Sequence, residues 1–374
     1  MSEDRVEGTY IKRSSRWKLI LVSLVLALIL TIILSLGVGY ASTQHAMAIP
    51  PISFLQILYV LVKQIPFVGG SINSAAISSN PQNVISIQNI ILQIRLPRIL
   101  AGALVGAGLA AAGVIYQGVF RNPMADSYLL GASAGASVGY TLAVLYVTSA
   151  LTVVGLGTAQ LFAFIFALIT VFSVLLISRV GTKIPVTTLL LSGIVVNIFL
   201  LAIETLMELR SGQALTGIVA WLAGGFSTIV WIQVWTIIPF VFIGVGVTYF
   251  FTRDLNMLSM GDDTAQHLGV NTERVRIFLL AIASLMTAAA VAISGVIGFV
   301  GLIIPHMTRL IIGPDHRILL PASAITGAMF LVICDAVARV ATGAAELPVG
   351  VITALVGTPF FIYLLRRRKT SYSL

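Results

Sequence analysis

Residues 17–40 read WKLILVSLVLALILTIILSLGVGY, and the only charge among them is Lys18, at the start. An apolar run of about 20 residues has the length of a helix crossing the hydrocarbon core of a bilayer. It is too long for the apolar heart of a signal peptide, so it is expected to stay as a first spanning helix. Within lipid only helices and closed barrels satisfy their own backbone. Barrel strands alternate over segments of about 10 residues, and this stretch does not alternate.

Eight further runs of the same kind follow, near 97–120, 128–148, 156–178, 185–208, 229–251, 277–299, 319–340 and 348–365. A shorter one at 301–312 contains Pro305, His306 and Arg309. Across 374 residues, 58% are hydrophobic and 9% charged, whereas soluble domains carry about 25% charge. A soluble enzyme is excluded, and the expected class is an all-α polytopic membrane protein. The net charge of +9 does not argue for nucleic acid, because the basic residues sit at the ends of the apolar runs, where they encode topology. Cys334 is the one cysteine, which excludes an intrachain disulfide and a cysteine-based metal site.

Charge also settles the number of crossings. Both ends are basic, with Lys12, Arg13, Arg16 and Lys18 at one and Arg366, Arg367, Arg368 and Lys369 at the other. The positive-inside rule places both in the cytoplasm, which requires an even count and so ten helices, with 301–312 as the tenth. In that scheme Lys63, Arg95, Arg98, Arg210 and Arg339 fall outside, and the other 17 of the 22 basic residues fall inside. The expected layout is a cytoplasmic tail 1–16, a ten-helix domain 17–366 and a cytoplasmic tail 367–374. A long external segment, 41–96, is punctuated by Gly69-Gly70-Ser71 and Ser79-Asn80-Pro81 and is expected to hold a surface helix near 52–64. The one sizeable cytoplasmic loop, 252–276, mixes charge with Met257, Leu258, Leu268 and Val270, as a short docking helix would.

The motifs argue mostly by exclusion. No lysine follows a glycine, so there is no phosphate-cradling loop and any ATP is hydrolysed by a partner. Gly131-Ala-Ser133-Ala-Gly135 has the spacing of a serine nucleophile elbow. Glycines four apart (131, 135 and 139; 102 and 106) are better explained as helix-packing notches. His45, His267, His306 and His316 form no metal-binding pair, and neither a metal nor a cofactor is expected. Glu204 is a single carboxylate inside a span, a thin basis for the alternative of an ion-gradient-driven secondary transporter. Asp335 and Arg339 stand at i,i+4, where each neutralises the other. The most pointed feature is Arg95-Leu-Pro-Arg98 with Arg339. Three arginines at outer helix ends, against the charge bias, suit a partner bearing carboxylates.

At these residues the chain resembles the permease subunit of type II ABC importers, which take up ferric siderophores, haem and cobalamin. The resemblance rests on Arg95-Leu-Pro-Arg98-Ile-Leu-Ala, on residues 113–126 (GVIYQGVFRNPMAD), and on Leu129-Leu-Gly131-Ala-Ser133-Ala-Gly135. It continues through residues 298–310 (GFVGLIIPHMTRL), Asp335 to Arg339, Glu346-Leu-Pro348-Val-Gly350 and residues 359–365 (PFFIYLL). It implies ten helices per subunit, a homodimer with a central path, two ATP-binding cassette ATPase subunits below and an extracytoplasmic substrate-binding protein above, all at the cell membrane. It implies that Arg95, Arg98 and Arg339 dock the binding protein. Loop 252–276 would couple to the ATPase through Gly261, Ala265, Leu268 and Gly269. The gate would lie near Ser133-Ala134 and Thr187-Thr188; some relatives carry asparagine where this chain has Ala134. The cargo implied is a metal chelate, ferric siderophore first, with haem and cobalamin as alternatives.

Overall fold

A computed structural model describes residues 3–38, 53–64, 86–147, 152–153, 156–181, 183–342 and 346–369. Most of the external segment, with both its glycine- and proline-marked turns and His45, lies outside the described residues. The elements in chain order are α1 (Glu3–Gly37), α2 (Phe54–Lys63), a π-helical turn (Ile90–Arg95), α3 (Leu96–Val119), α4 (Ala132–Tyr146), β1 (Thr152–Val153), β2 (Leu156–Gly157), α5 (Thr158–Ile177) and α6 (Val186–Glu208). Then come α7 (Leu215–Leu222), α8 (Trp231–Phe250), α9 (Thr252–Ser259), α10 (Asp262–His267), α11 (Thr272–Ser294), α12 (Val300–Ile312), α13 (His316–Val340) and α14 (Val349–Lys369). The two strands pair antiparallel between α4 and α5.

Among the described residues seven helices are long and apolar enough to span: α1, α3, α5, α6, α8, α11 and α13. Shorter apolar helices are α12, the Val349–Tyr363 part of α14 and the Gly212–Leu222 stretch that holds α7; with α4, α12 and α14 taken as crossings the total is ten, the number expected from charge. Several boundaries differ from the sequence reading. The first helix starts at Glu3 rather than at 17. The third starts at Ala132 rather than 128, because Gly131 adopts a left-handed φ of 77° and closes a turn first. The seventh is displaced toward the chain start and begins at Thr272, its charged first turn projecting past the apolar run. Loop 252–276 is accordingly two short helices and the root of α11. The helix expected near 52–64 is α2, held by a reciprocal Ser53–Gln56 capping box. It is not a pure surface helix, because Ile57, Tyr59 and Val60 are buried with Leu36, Ile91 and Val332.

α3 is the axis of the bundle, with 83% of its apolar window buried. Small residues let neighbouring backbones reach it. A side chain at Gly106 would collide with the backbone of Gly327 on α13, and one at Gly113 with that of Gly301 on α12. Gly135 and Gly139 of α4 face Phe166 O and Phe162 O of α5 in the same way, with a built Cβ 2.7 and 2.5 Å from those oxygens. The G-x-S-x-G spacing is therefore a packing notch at a helix start. By contrast α1 and α6 have only 11% of their windows buried and offer apolar faces to lipid or to another chain.

Candidate docking and coupling sites

The site expected to face outward begins with Pro97. A proline has no N–H, and its ring crowds the carbonyl four residues back. The chain arrives through a π turn, Ile90–Arg95, in which Leu96 N–H bonds to Ile91 O. Trp231 Nε1 donates to Leu92 O at 2.9 Å and pins that turn to α8. This geometry turns Arg95 and Arg98 inward, where they are only 4% and 7% exposed, and Arg339 on α13 is 3% exposed.

The three arginines are brought together around two carboxylates and the end of α1. Arg98 donates through Nε to Asp335 Oδ1 at 2.8 Å and through Nη1 to Glu346 Oε2 at 2.7 Å. Arg339 Nε lies 3.1 Å from Asp335 Oδ2, the i,i+4 pair expected from sequence. Arg339 also donates to Val38 O, Ser35 O and Ser35 Oγ at 2.6, 3.1 and 2.6 Å, and Arg95 Nη1 donates to Leu36 O at 2.6 Å. The last carbonyls of a helix lack intrahelical partners, and here guanidinium groups supply them. Sequence reasoning named the arginines but missed Ser35 and the backbone of α1, for which no local pattern exists.

The opposite end holds the residues expected to couple to an ATPase. Gly261 sits at φ 124° between α9 and α10, and Gly269 at φ 87° after α10, both backbone forms that favour glycine. Ala265 is fully buried in a small core with Leu258 and Val270, while Leu268 and Met260 are 57% and 67% exposed. Asn256 on α9 donates to Asp315 Oδ1 at 2.9 Å and accepts from the His316 N–H at 2.9 Å, tying the loop to α13. Asp262 pairs with Arg276 and with Arg121; sequence reading passed over all three.

Of the gate candidates, Ala134 is buried, Ser133 and Thr188 are half-buried and Thr187 is exposed. They lie at the starts of α4 and α6. Much of the motif at 113–126 serves packing. Pro305 removes an N–H from α12 and frees Gly301 O, and Gln117 Nε2 donates to Leu302 O at 3.0 Å and Gly301 O at 3.4 Å. Arg309 Nη1 in turn donates to Gln117 Oε1 at 2.7 Å. Tyr116 and Ser284 hydroxyls meet at 3.0 Å. Glu204 is buried on α6 near Ser137. Among the described residues no three His, Cys, Asp or Glu side chains converge as a metal site.

Comparison with known proteins agrees with this architecture. The chain is 47% identical over 282 residues to the cobalamin import system permease protein BtuC of Halobacterium salinarum, covering 75% of this chain and 74% of that one. It is 36% identical over 333 residues to the hemin transport system permease protein HmuU of Yersinia pestis, covering 86% and 97%. A solved structure described as an inward-facing conformation of a metal-chelate type ABC transporter matches with a TM-score of 0.74 and 30% identity, over 93% of this chain and 99% of that one. The model of the FecCD transport family matches residues 28–367. The chain therefore belongs to the FecCD transport family, as a multi-pass membrane permease, the transport subunit of an ABC importer.

Proposed function

We propose that two copies of the chain form the path of an ATP-driven importer that carries a bulky metal chelate from a binding protein into the cytoplasm by alternating access. Two ATPase subunits sit under loop 252–276, and both tails, 1–16 and 367–374, are cytoplasmic. The observation that carries the reading is the family match over residues 28–367. Ferric siderophore is the first cargo expected; cobalamin stands beside it because the 47% identical relative imports cobalamin. The barely buried α6, with Leu191, Val195, Ile198 and Phe199 exposed, supports a second copy. An apolar cavity of about 620 Å³ between α7 and α14, lined by Leu222, Val351, Leu355 and Thr358 among others, suits a path wall that holds cargo weakly.

On this reading Arg95, Arg98 and Arg339 receive carboxylates of the binding protein, reached from the side of Glu346, whose side chain is 31% exposed. Gly261, Ala265, Leu268 and Gly269 shape the ATPase contact, and Ser133, Ala134, Thr187 and Thr188 mark the gate. The test is purification of the tagged chain from native membranes in mild detergent, then reconstitution and uptake of cobalamin, haemin and a ferric hydroxamate. Retention of an ATPase subunit and uptake that stops without ATP are expected. A chain that purifies alone, with uptake that survives ATP depletion and collapses with the ion gradient, would favour a secondary transporter instead.

A further inference from the structure

Ile184 is buried and precedes Pro185, the N-cap of α6. The first helical bond of α6 uses Pro185 O, so neither polar group of Ile184 is taken up by the helix. Both are met from α11. Glu273 Oε1 accepts the Ile184 N–H at 2.8 Å, and Arg276 Nη1 lies 3.5 Å from Ile184 O. Buried backbone groups need such partners, so the start of α6 is gripped at two points by the root of α11.

The same Arg276 reaches the coupling helix. Its Nη2 donates to Asp262 Oδ1 and Oδ2 at 2.8 and 2.9 Å. Asp262 opens α10 and also pairs with Arg121, in the turn that leads from α3 to α4. Arg121 stands at φ 49°, a left-handed form uncommon for a side chain other than glycine. One carboxylate on α10 thus holds two guanidinium groups, one on the approach to α4 and one on the grip at α6. Two arginines face two carboxylates, so the buried Arg276 is neutralised within the cluster.

We propose that Asp262 is the positioning residue that divides the movement of α10 between the two gate helices. It acts on α4 through Arg121 and on α6 through Arg276 and Ile184. The proposal rests on the importer reading above. It makes a specific distinction: without the Asp262 charge Arg276 keeps Glu273 and Ile184, so the bundle stays intact while α10 loses its ionic links and keeps only the Ala265 packing and the Gln266–Thr272 bond.

The test uses the transporter with its ATPase subunits in liposomes, spin-labelled at Thr187→Cys. A two-fold dimer then gives one distance across the gate, and the native Cys334 is buried. Wild type should change that distance between the nucleotide-free and ATP–vanadate states. In Asp262→Asn the shifted population should fall about two- to thirty-fold, the span that substitutions along coupled elements produce, while the ATPase stays bound and hydrolysis continues. Asp262→Glu should restore the shift. The same shift in Asp262→Asn as in wild type overturns the proposal. If that variant does not assemble, the half-exposed Arg121→Gln decides by the same reading, an unchanged shift again overturning it. A wild-type chain that retains no ATPase removes the importer reading and the relay together, whereas unchanged variants remove the relay alone.

Discussion

Asp335 is fully buried between Arg98 and Arg339, and its removal leaves two buried cations with one remaining carboxylate, Glu346. Breaking a buried pair typically costs about 3–5 kcal/mol, so Asp335→Asn should lower unfolding stability in detergent by about that amount, measured by denaturant titration. Glu346 has a different consequence. Its carboxylate occupies Arg98 Nη1, the position that a docking partner's carboxylate would need. If Arg98 receives the binding protein, Glu346→Gln removes an internal competitor and should tighten binding about fivefold, the equivalent of ~1 kcal/mol for one hydrogen bond. Surface plasmon resonance on the detergent-solubilised complex would read this. On the same condition Arg95→Glu with Arg98→Glu should weaken docking and uptake, but those side chains also hold Leu36 O, Asp335 and Glu346, so loss of binding there is ambiguous. The sign of the Glu346→Gln effect separates docking from scaffolding: no gain in affinity counts against the docking role. The arginines were legible in the sequence because three cations at helix ends expected to face outward defy the charge bias. Their partners were not, since Arg339 and Val38 are separated by almost the whole chain.

At the level of elements, contacts between helices depend on positions where no side chain fits. Gly113→Ala would drive a methyl group into the Gly301 backbone where α3 and α12 cross, and backbone yields poorly. Overpacking of this kind costs about 1–3 kcal/mol, measurable as a lower melting temperature in detergent. Gly217, inside α7, has nothing within 4 Å of a built Cβ, so Gly217→Ala should be neutral or stabilising by up to ~1 kcal/mol from helix propensity. The helices themselves were legible as continuous apolar runs. Their ends were not, because Tyr128-Leu129-Leu130 looks like span but forms a turn, with the Tyr128 hydroxyl bonded to Ile297 O at 2.9 Å. Charge in α10 makes a prediction of its own. Burial raises the Asp262 carboxyl, but Arg276 and Arg121 outweigh burial and hold it below its ordinary 3.8. A depressed carboxyl contributes above its unfolded value and is lost only as pH falls through the folded one. Retention of the ATPase by the coupling loop should therefore not change through Asp262 between about pH 5 and 8; release by pH 5 in wild type, absent in Asp262→Asn, would contradict this.

For the whole molecule the decisive property is that its two ends differ chemically. Arg121, Arg276 and Arg309 gather at one end with Asp262, Glu273 and Gln117, while Arg95, Arg98 and Arg339 gather at the other with the end of α1. These six arginines divide between the two ends as the sequence reading expects of an inside and an outside set; which end faces the cytoplasm is a proposal to be tested. The short α12 decides the parity. It is only 13 residues long and interrupted by Pro305, and without its return to the Gln117 end, α13 could not start beside Asn256 as it does. Topology follows as a single prediction with two independent readings. A membrane-impermeant maleimide applied to sealed cells should modify a cysteine placed at the exposed Leu209, between α6 and α7, and spare one at the exposed Thr264 on α10. In inside-out vesicles the pattern should reverse, with a C-terminal tag accessible alongside Thr264→Cys. A tag on the same side as Leu209→Cys would mean an odd number of crossings. If α12 were the helix that failed to cross, α13 would run the other way, and Asn256 and the His316 N–H, joined at 2.9 Å, would have to lie on opposite faces.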